Sequence, residues 1–508
     1  MNATADLEQN NSLFEEGRNC WRVETANNYD MVVDGAAYFK ALREALTKAQ
    51  HQVMLIGWDF DLEIEMLPGE SDDSGIAPDG YPNKVRGFLE ALVEERPELD
   101  MYILRWSGST IVAPGRLVPA MRLRLNGPKD IRIALDGRHP VSACHHQKIV
   151  VIDDAVAFCG GIDVTDARWD TPDHAPKDPR RVLRNGENAE PWHDLTNAVT
   201  GPAAQALGDL ARARWTRSTG EKLAAPNPAD DDYWPASLPV ACRNVRIAIS
   251  RTEPPEDDQA LINEIEEMVL DQIASANSVI YLESQYFASD EIATALSRRL
   301  SEDDGPDIII INPNEAQKEV EDKAMHVTRT RLIQQLRKVD HENRLRIASP
   351  VNAAEEAIYV HAKVCIVDDK SIRIGSSNIN RRSLGFDTEC DLTVEAQSSE
   401  VGEAIECFRN RLLAEHLGCE VSVLKQKIAD DGRVAKVFDA LNKEKGRGLR
   451  DIKHKEDTGF GSFLANTRML DPRYERGTES RTRFSGRHIG FGIAVLCVLA
   501  FLFHILTS

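Results

Sequence analysis

The sequence predicts an α/β protein of two halves related by a pseudo-twofold, each an α/β/α arrangement around a mixed sheet, with a C-terminal transmembrane helix added. Three observations predict it. The stretch "HHQKIVVIDDAVAFCGGID" (145–163) returns in altered form as "VHAKVCIVDDKSIRIGSSN" (360–378). Around each copy, apolar runs of strand length alternate with amphipathic helical patterns, the mark of strands buried on both faces. Close to the C-terminus stand 18 residues, 489–506, in which His504 alone is polar.

The first half, residues 1–215, opens with "DGAAYFKALREALTKAQ", whose Ala37, Phe39, Leu42, Ala45, Leu46 and Ala49 suit one face of a helix. It runs into the apolar strand "QVMLIGWDF", and "ELDMYILRWS" and "DIRIALDG" read as further strands. Residues 216–239, rich in Pro, Asp and Ala, read as the linker between halves. The second half, residues 240–425, repeats the order: "ALINEIEEMVLDQIASAN" as helix, then "SVIYLESQYF", "DIIIINPN" and "RLRIAS" as strands. Setting Ala49 on Ala276 aligns Val53 with Ile280 and Phe60 with Phe287, so the duplication extends beyond the motif. Residues 426–487 turn polar and basic and read as a partly helical stalk, and 488–508 as the membrane anchor.

As a helix residues 489–506 span about 27 Å at roughly 1.5 Å per residue, close to a hydrocarbon core. They show no polar stripe of the kind a packed surface helix carries. Upstream, Arg468, Arg473, Arg476, Arg481, Arg483 and Arg487 outnumber Asp471, Glu475 and Glu479, which keeps that flank cytoplasmic. The expectation is a single tail anchor with the catalytic body on the cytoplasmic side. The N-terminus lacks the basic and apolar regions of a cleavable signal.

A length of 508 residues exceeds one ordinary core, and 42% hydrophobic with 28% charged residues is a folded composition. The formal charge of -21 disfavours duplex nucleic acid as a partner. Nine scattered cysteines with no CxxC pair indicate neither a disulfide framework nor a zinc site, and suit a reducing compartment.

Each motif copy is His-x-Lys, four residues, Asp, six residues, Gly: His146, Lys148, Asp153, Gly160 and His361, Lys363, Asp368, Gly375. At average residue usage one match in a chain this long has odds on the order of one in several hundred, and two are far rarer. On an extended segment, residues i and i+2 share a face, so His and Lys of each copy reach one ligand. Imidazole serves as nucleophile or proton donor near neutral pH, and Lys is a charged donor to phosphate oxygens. Cleaving a diester through a covalent intermediate needs two imidazoles, one to attack phosphorus and one to protonate the departing alcohol. The duplication therefore predicts one site built across the pseudo-twofold, with neither half active alone.

These residues and their surroundings resemble the phospholipase D superfamily, and more closely its eukaryotic-type branch. The resemblance is carried by "HHQKIVVIDDAVAFCGGIDVTDARWD", "PWHDLTNAVTGPAA", "DLARARWTR", "IYLESQYF" and "YVHAKVCIVDDKSIRIGSSNINRRSLGFDTECDL", over roughly residues 20 to 420. It implies phospholipase D-type halves and an enzyme without metal or cofactor. Such an enzyme hydrolyses a glycerophospholipid to phosphatidic acid and free head group, and can pass the phosphatidyl group to an alcohol instead of water. It implies His146 as nucleophile forming a phosphohistidine, and His361 as the acid that later activates water. Lys148, Lys363 and Asn378 are then the phosphate-binding groups. Asp194, in "PWHDL", would orient His361, and Glu389, in "FDTECDL", would orient His146; Asp153 and Asp368 complete the catalytic motifs as structural anchors.

Two departures qualify the resemblance: Asp163, in "GGID", stands where many relatives carry Asn, and no phosphoinositide-binding module is expected ahead of the catalytic region. A cardiolipin synthase-like transferase is the alternative reading, since it would use the same histidines. A phosphodiesterase acting on nucleic acid fits the charge less well, and a non-catalytic scaffold fits poorly with both motifs intact. Trp58, Trp106, Trp169 and Trp192 flank the motifs and read as core more readily than as the lining of an acyl or head-group pocket. Arg168 and Arg381 are left open between phosphate binding and local ion pairs, and head-group preference and oligomeric state are not legible.

Overall fold

Two twelve-residue strands, β1 (Arg22–Val33) and β9 (Cys242–Glu253), open the two halves and pair with each other antiparallel, from Arg22↔Ile249 to Tyr29↔Cys242. The computed structural model describes residues 12–112, 116–227, 232–256, 259–315, 319–452 and 459–476. The β1–β9 pairing fuses two mixed sheets into one of 16 strands, so the halves join edge to edge.

From β1 the order outward is β8 (Leu195–Thr200), β6 (Val156–Gly160), β5 (Ile149–Ile152), β2 (Gln52–Gly57), β3 (Asp100–Trp106) and β4 (Ile131–Asp136). From β9 it is β17 (Glu389–Glu395), β16 (Ser371–Gly375), β15 (Val364–Val367), β11 (Val279–Glu283), β12 (Asp307–Ile311) and β13 (Leu345–Val351). On each side the three outermost of these strands are parallel to one another and the inner ones antiparallel. The two sides therefore repeat one topology about the β1–β9 seam. A separate parallel pair, β7 (Trp192–His193) with β14 (Tyr359–Val360), ties the halves together a second time.

Apolar strands demand cover on both faces. In the first half Phe39 and Leu42 of helix Asp34–Leu46, with Phe88 and Leu89 of helix Val85–Glu95, cover one face. Helix Pro202–Thr219 covers the other with Leu207, Leu210 and Trp215. In the second half helices Glu264–Ser275 and Asp290–Leu300 bury Ile265, Val269, Ile292 and Leu296 on one face. Helix Ser399–Leu417 buries Ile405, Leu412 and Leu413 on the other, in the same continuous core as Leu207 and Trp215. The seam is thus backed by apolar packing contributed by both halves.

Two expectations require correction. The expected linker 216–239 is partly built into the first half: helix Pro202–Thr219 runs into it, and Tyr233 and Trp234 are buried in that half's core. The expected stalk is in good part folded onto the body. Helix Val434–Leu441 buries Val434, Val437 and Phe438, and β18 (Gly448–Asp451) adds to the free edge of β13. The cause is an apolar stripe confined to about two turns, which suffices to dock a short helix but is diluted by the surrounding Lys, Arg and Glu. The anchor, 488–508, lies outside the described residues; among those described, no helix is long and apolar enough to cross a membrane.

The seam also holds a stability switch. Asp30 of β1 is 3% exposed, and burial pushes its carboxyl up to about 7, with Arg411 pulling the other way. A raised carboxyl favours folding below its unfolded pKa and loses that contribution as pH rises through about 7. Asp30→Asn is therefore expected to stabilise the protein at pH 8 by on the order of 2–4 kcal/mol and to have little effect near pH 4, measured by denaturant unfolding at the two pH values.

Candidate active site

The motif aspartates and glycines act on the scaffold. Asp153 accepts from the backbone N–H groups of Gln50 (2.6 Å), His51 (2.9 Å) and Gln52 (2.6 Å), and from the Tyr233 hydroxyl (2.8 Å). Asp368 accepts from Asn277, Ser278 and Val279, each at 2.8 Å. Both carboxylates thus hold the start of the parallel strand beside their motif, β2 or β11, and neither faces the histidines. Gly160 and Gly375 are needed for a close strand approach: a Cβ would meet Thr196 Cα at 2.3 Å in the first copy and Asp391 Cα at 2.5 Å in the second.

These anchors bring the two histidines together between the halves, with ring centroids 6.5 Å apart. Each is positioned by the opposite half, and by the same pattern. The His146 backbone N–H donates to Thr388 O (2.8 Å), and its Nδ1 bonds Glu389 Oε2 and Ser376 O, each at 3.0 Å. The His361 backbone N–H donates to His193 O (2.8 Å), and its Nδ1 bonds Asp194 Oδ2 at 2.6 Å. A carbonyl only accepts, so His146 Nδ1 carries the hydrogen and Nε2 keeps its lone pair. Gly161 leaves room for the orienting group: a Cβ there would lie 2.1 Å from Asp194 Oδ1.

Charge is concentrated and dry. Lys148 Nζ donates to His146 O (3.0 Å) and pairs with Asp163 Oδ2 (3.2 Å); Lys363 Nζ donates to His361 O. Burial brings Lys363 down to about 7 and pushes Asp194 up to about 7. Burial and the two lysines push His146 well below its usual range, and burial with Lys363 and Arg168 does the same to His361. Glu389 is raised by burial. Among the described residues Lys148 has Asp163 as its carboxylate partner and Lys363 has none within 4 Å, so an arriving phosphate supplies the counter-charge that Lys363 is missing. Binding of dimethyl phosphate, a monoanion throughout, followed by calorimetry from pH 6 to 8.5, is expected to weaken as pH rises through about 7, where Lys363 loses its proton and Asp194 gains its charge.

The remaining expected residues divide. Asn378 lies two residues past Ser376, whose carbonyl meets His146 Nδ1; among the described residues its Oδ1 is buried without a hydrogen bond, and its Nδ2 reaches Gln285 Oε1 only at 3.5 Å. Asp163, in contrast, holds Lys148 and accepts from the Trp58 backbone at 3.2 Å, so the two lysines are not equivalent. Trp192 is more than core: it stacks on Tyr359 (4.8 Å) and packs against the His361 ring (5.0 Å). The Arg168 guanidinium lies 4.0 Å over the same indole, with its Nε buried and unbonded. Arg381 faces Asp290 (3.6 Å) and is an ion-pair residue.

Sequence reasoning missed a second buried constellation directly behind Asp194. Asp34, His174, His193 and Glu415 bring one ligand atom each within 4.8 Å of one another, and His193 also meets Glu283, which bonds His416. This donor set could hold a divalent cation. It also braces the site, because Asp34 exchanges backbone and side-chain hydrogen bonds with the Asp194 backbone, at 2.8 and 3.2 Å. Against burial, Asp34 and Asp170 carry His174 up to about 9, so the carboxylates are partly balanced by imidazolium. Only His193, beside Asp194 in "PWHD", carried a local signal; the other members are scattered from 34 to 416.

A family model described as "Phospholipase D" matches residues 124–323, and one described as "Cardiolipin synthase, PLD-like domain" matches 269–412. Phospholipase D A of Dictyostelium discoideum is 23% identical over 76% of this chain and 35% of its own length. Phospholipase D alpha 1 of Vigna unguiculata is 22% identical over 74% of this chain and 63% of its own. The chain thus spans from about a third to under two thirds of these relatives. The crystal structure of phosphatidylserine synthase from Haemophilus influenzae shares the fold, with a TM-score of 0.53 at 13% identity, covering 87% of this chain and all of that one. Tandem motifs, a cross-seam histidine pair and these matches together place the chain in the phospholipase D superfamily, on its eukaryotic-type branch.

Proposed function

We propose that the protein is a phospholipase D, cleaving the head-group side of a glycerophospholipid's phosphodiester to release phosphatidic acid and a free head group. The observation that carries this reading is the reciprocal placement of His146 and His361, each ring held through Nδ1 by the other half's carboxylate and facing its partner across 6.5 Å. Nε2 of His146 attacks phosphorus and the bond to the head-group oxygen breaks, leaving phosphatidyl-histidine. His361 donates the proton that the departing alcohol needs. The Asp194–His361 pair is suited to hold that proton, because burial keeps Asp194 near 7 while the diester's negative charge favours the imidazolium. Water, deprotonated by His361, then attacks phosphorus and returns His146. Lys148, Lys363 and Asn378 hold the equatorial oxygens as charge gathers there, and Glu389 stabilises the positive imidazole.

An alcohol in place of water gives transphosphatidylation by the same route. The family model over 269–412 supports a second reading, transfer of the phosphatidyl group to a lipid alcohol. Incubation with phosphatidylcholine and ethanol, and separately with phosphatidylglycerol, distinguishes them. Phosphatidylethanol with free choline is expected; diphosphatidylglycerol as the main product would favour the transferase, and no product from either would sink both.

The apolar stretch 489–506 supports a tail anchor that keeps the body at the cytoplasmic face of a membrane. Deleting residues 488–508 is expected to move the protein from the carbonate-resistant membrane fraction to the soluble one. Retention in the membrane pellet would contradict the anchor.

A further inference from the structure

Helix Leu117–Asn126 presents an inverted surface. At about 100° per residue, Met121 and Leu125 stand in line, Arg122 and Arg124 flank them, and Leu123 on the opposite side is buried in the first-half core. Surface helices normally face solvent with polar residues, yet Met121 is 49% and Leu125 is 72% exposed. Eight large apolar side chains are exposed among the described residues, and four of them fall between 121 and 141: these two, Leu135 and Val141. Leu135 shares its side of β4 with Ile131 and Ile133, which line the core that Leu123 enters.

The same window is cationic in a chain of net charge -21. Arg122, Arg124, Lys129 and Arg138 are exposed, and none makes an ion pair among the described residues. The window also leads into the site. It follows Arg116, which pairs with Asp59 and Asp166, and it ends at His145 and His146; on the way the His139 ring packs 5.1 Å from that of His145.

An apolar ridge between arginines is the pattern of a helix lying in a bilayer interface. We propose that helix Leu117–Asn126 and the connection from β4 to His146 dock on an anionic phospholipid bilayer. Met121 and Leu125 enter the acyl boundary, the cations take the lipid phosphates, and the histidine pair is brought to head-group level. This deepens the phospholipase reading and rests on it only for that last point. It also explains how a strongly acidic body approaches an anionic surface: one face reverses the local sign.

The test is hydrogen–deuterium exchange on the full chain with vesicles of phosphatidylcholine, with or without about a third phosphatidylglycerol. Amides of residues 117–141 are expected to slow at least about fivefold with the anionic vesicles and to be unchanged with phosphatidylcholine alone. A variant carrying Met121→Ser, Arg122→Glu, Arg124→Glu and Leu125→Ser should lose that protection. Its turnover of anionic vesicles should fall at least about tenfold, with turnover of a soluble short-chain phosphatidylcholine within about twofold of the parent. Equal protection in variant and parent, no protection in the parent, stronger protection by duplex DNA, or loss on both substrates overturns the proposal. A parent that turns over no phospholipid removes the phospholipase reading instead, while exchange still reports docking.

Discussion

His146→Ala is expected to lower turnover of phosphatidylcholine by about 10⁴–10⁶-fold, with vesicle binding unchanged. The size follows from the role: the substitution removes the atom that forms the new bond to phosphorus, and no neighbour replaces it. Lys148, held by Asp163 and the His146 carbonyl, serves the phosphate oxygens and not the phosphorus, and Glu389 is buried behind the ring. The fold should tolerate the change, because the His146 backbone bond to Thr388 persists and Asp153 still anchors β2. Activity within about tenfold of the parent would exclude His146 as nucleophile.

His361→Ala is expected to separate the two chemical steps. With a phospholipid, whose alcohol leaves poorly, turnover should fall about 10³–10⁴-fold because no acid protonates the head-group oxygen. With a phosphatidyl ester of p-nitrophenol, which leaves without protonation, the first step should proceed and the second stall, since water lacks its base. One equivalent of p-nitrophenol per protein, with an acid-labile phosphatidyl group on residue 146, is the expected result. Continuous turnover of that ester in His361→Ala would show that the second imidazole is dispensable.

The motif chemistry was legible because its spacing is local: His, Lys, Asp and Gly in each copy sit within 15 residues, on one extended segment and the hairpin that follows it. The orienting carboxylates were legible only by resemblance, since Asp194 and Glu389 reach the opposite copy's histidine across the seam. Nothing local in β1 or β9 announces that two sheets fuse along them. An amphipathic strand pattern specifies faces, whereas the partner at each edge is a long-range choice. The same reason hid the cluster of Asp34, His174, His193 and Glu415, assembled from four separate segments. In 426–452 the failure was of another kind: charge density was read as solvation, yet Val434, Val437 and Phe438 suffice to dock a helix. By residue type Trp192 reads as core more readily than as pocket lining, and its contact with His361 depends on the β7–β14 pairing that no local signal predicts.

The central claim is that a single phosphorus is gripped from opposite sides by rings from the two halves. It is tested most directly by a crystal structure of the protein soaked with orthovanadate, which adopts five-coordinate geometry like a phosphoryl group in flight. The account calls for vanadium between the rings, with Nε2 of His146 at one apex, Nε2 of His361 toward the other, and both lysines on equatorial oxygens. Vanadate bound to one ring alone, or settled elsewhere while the space between the rings excludes it, would contradict a shared centre.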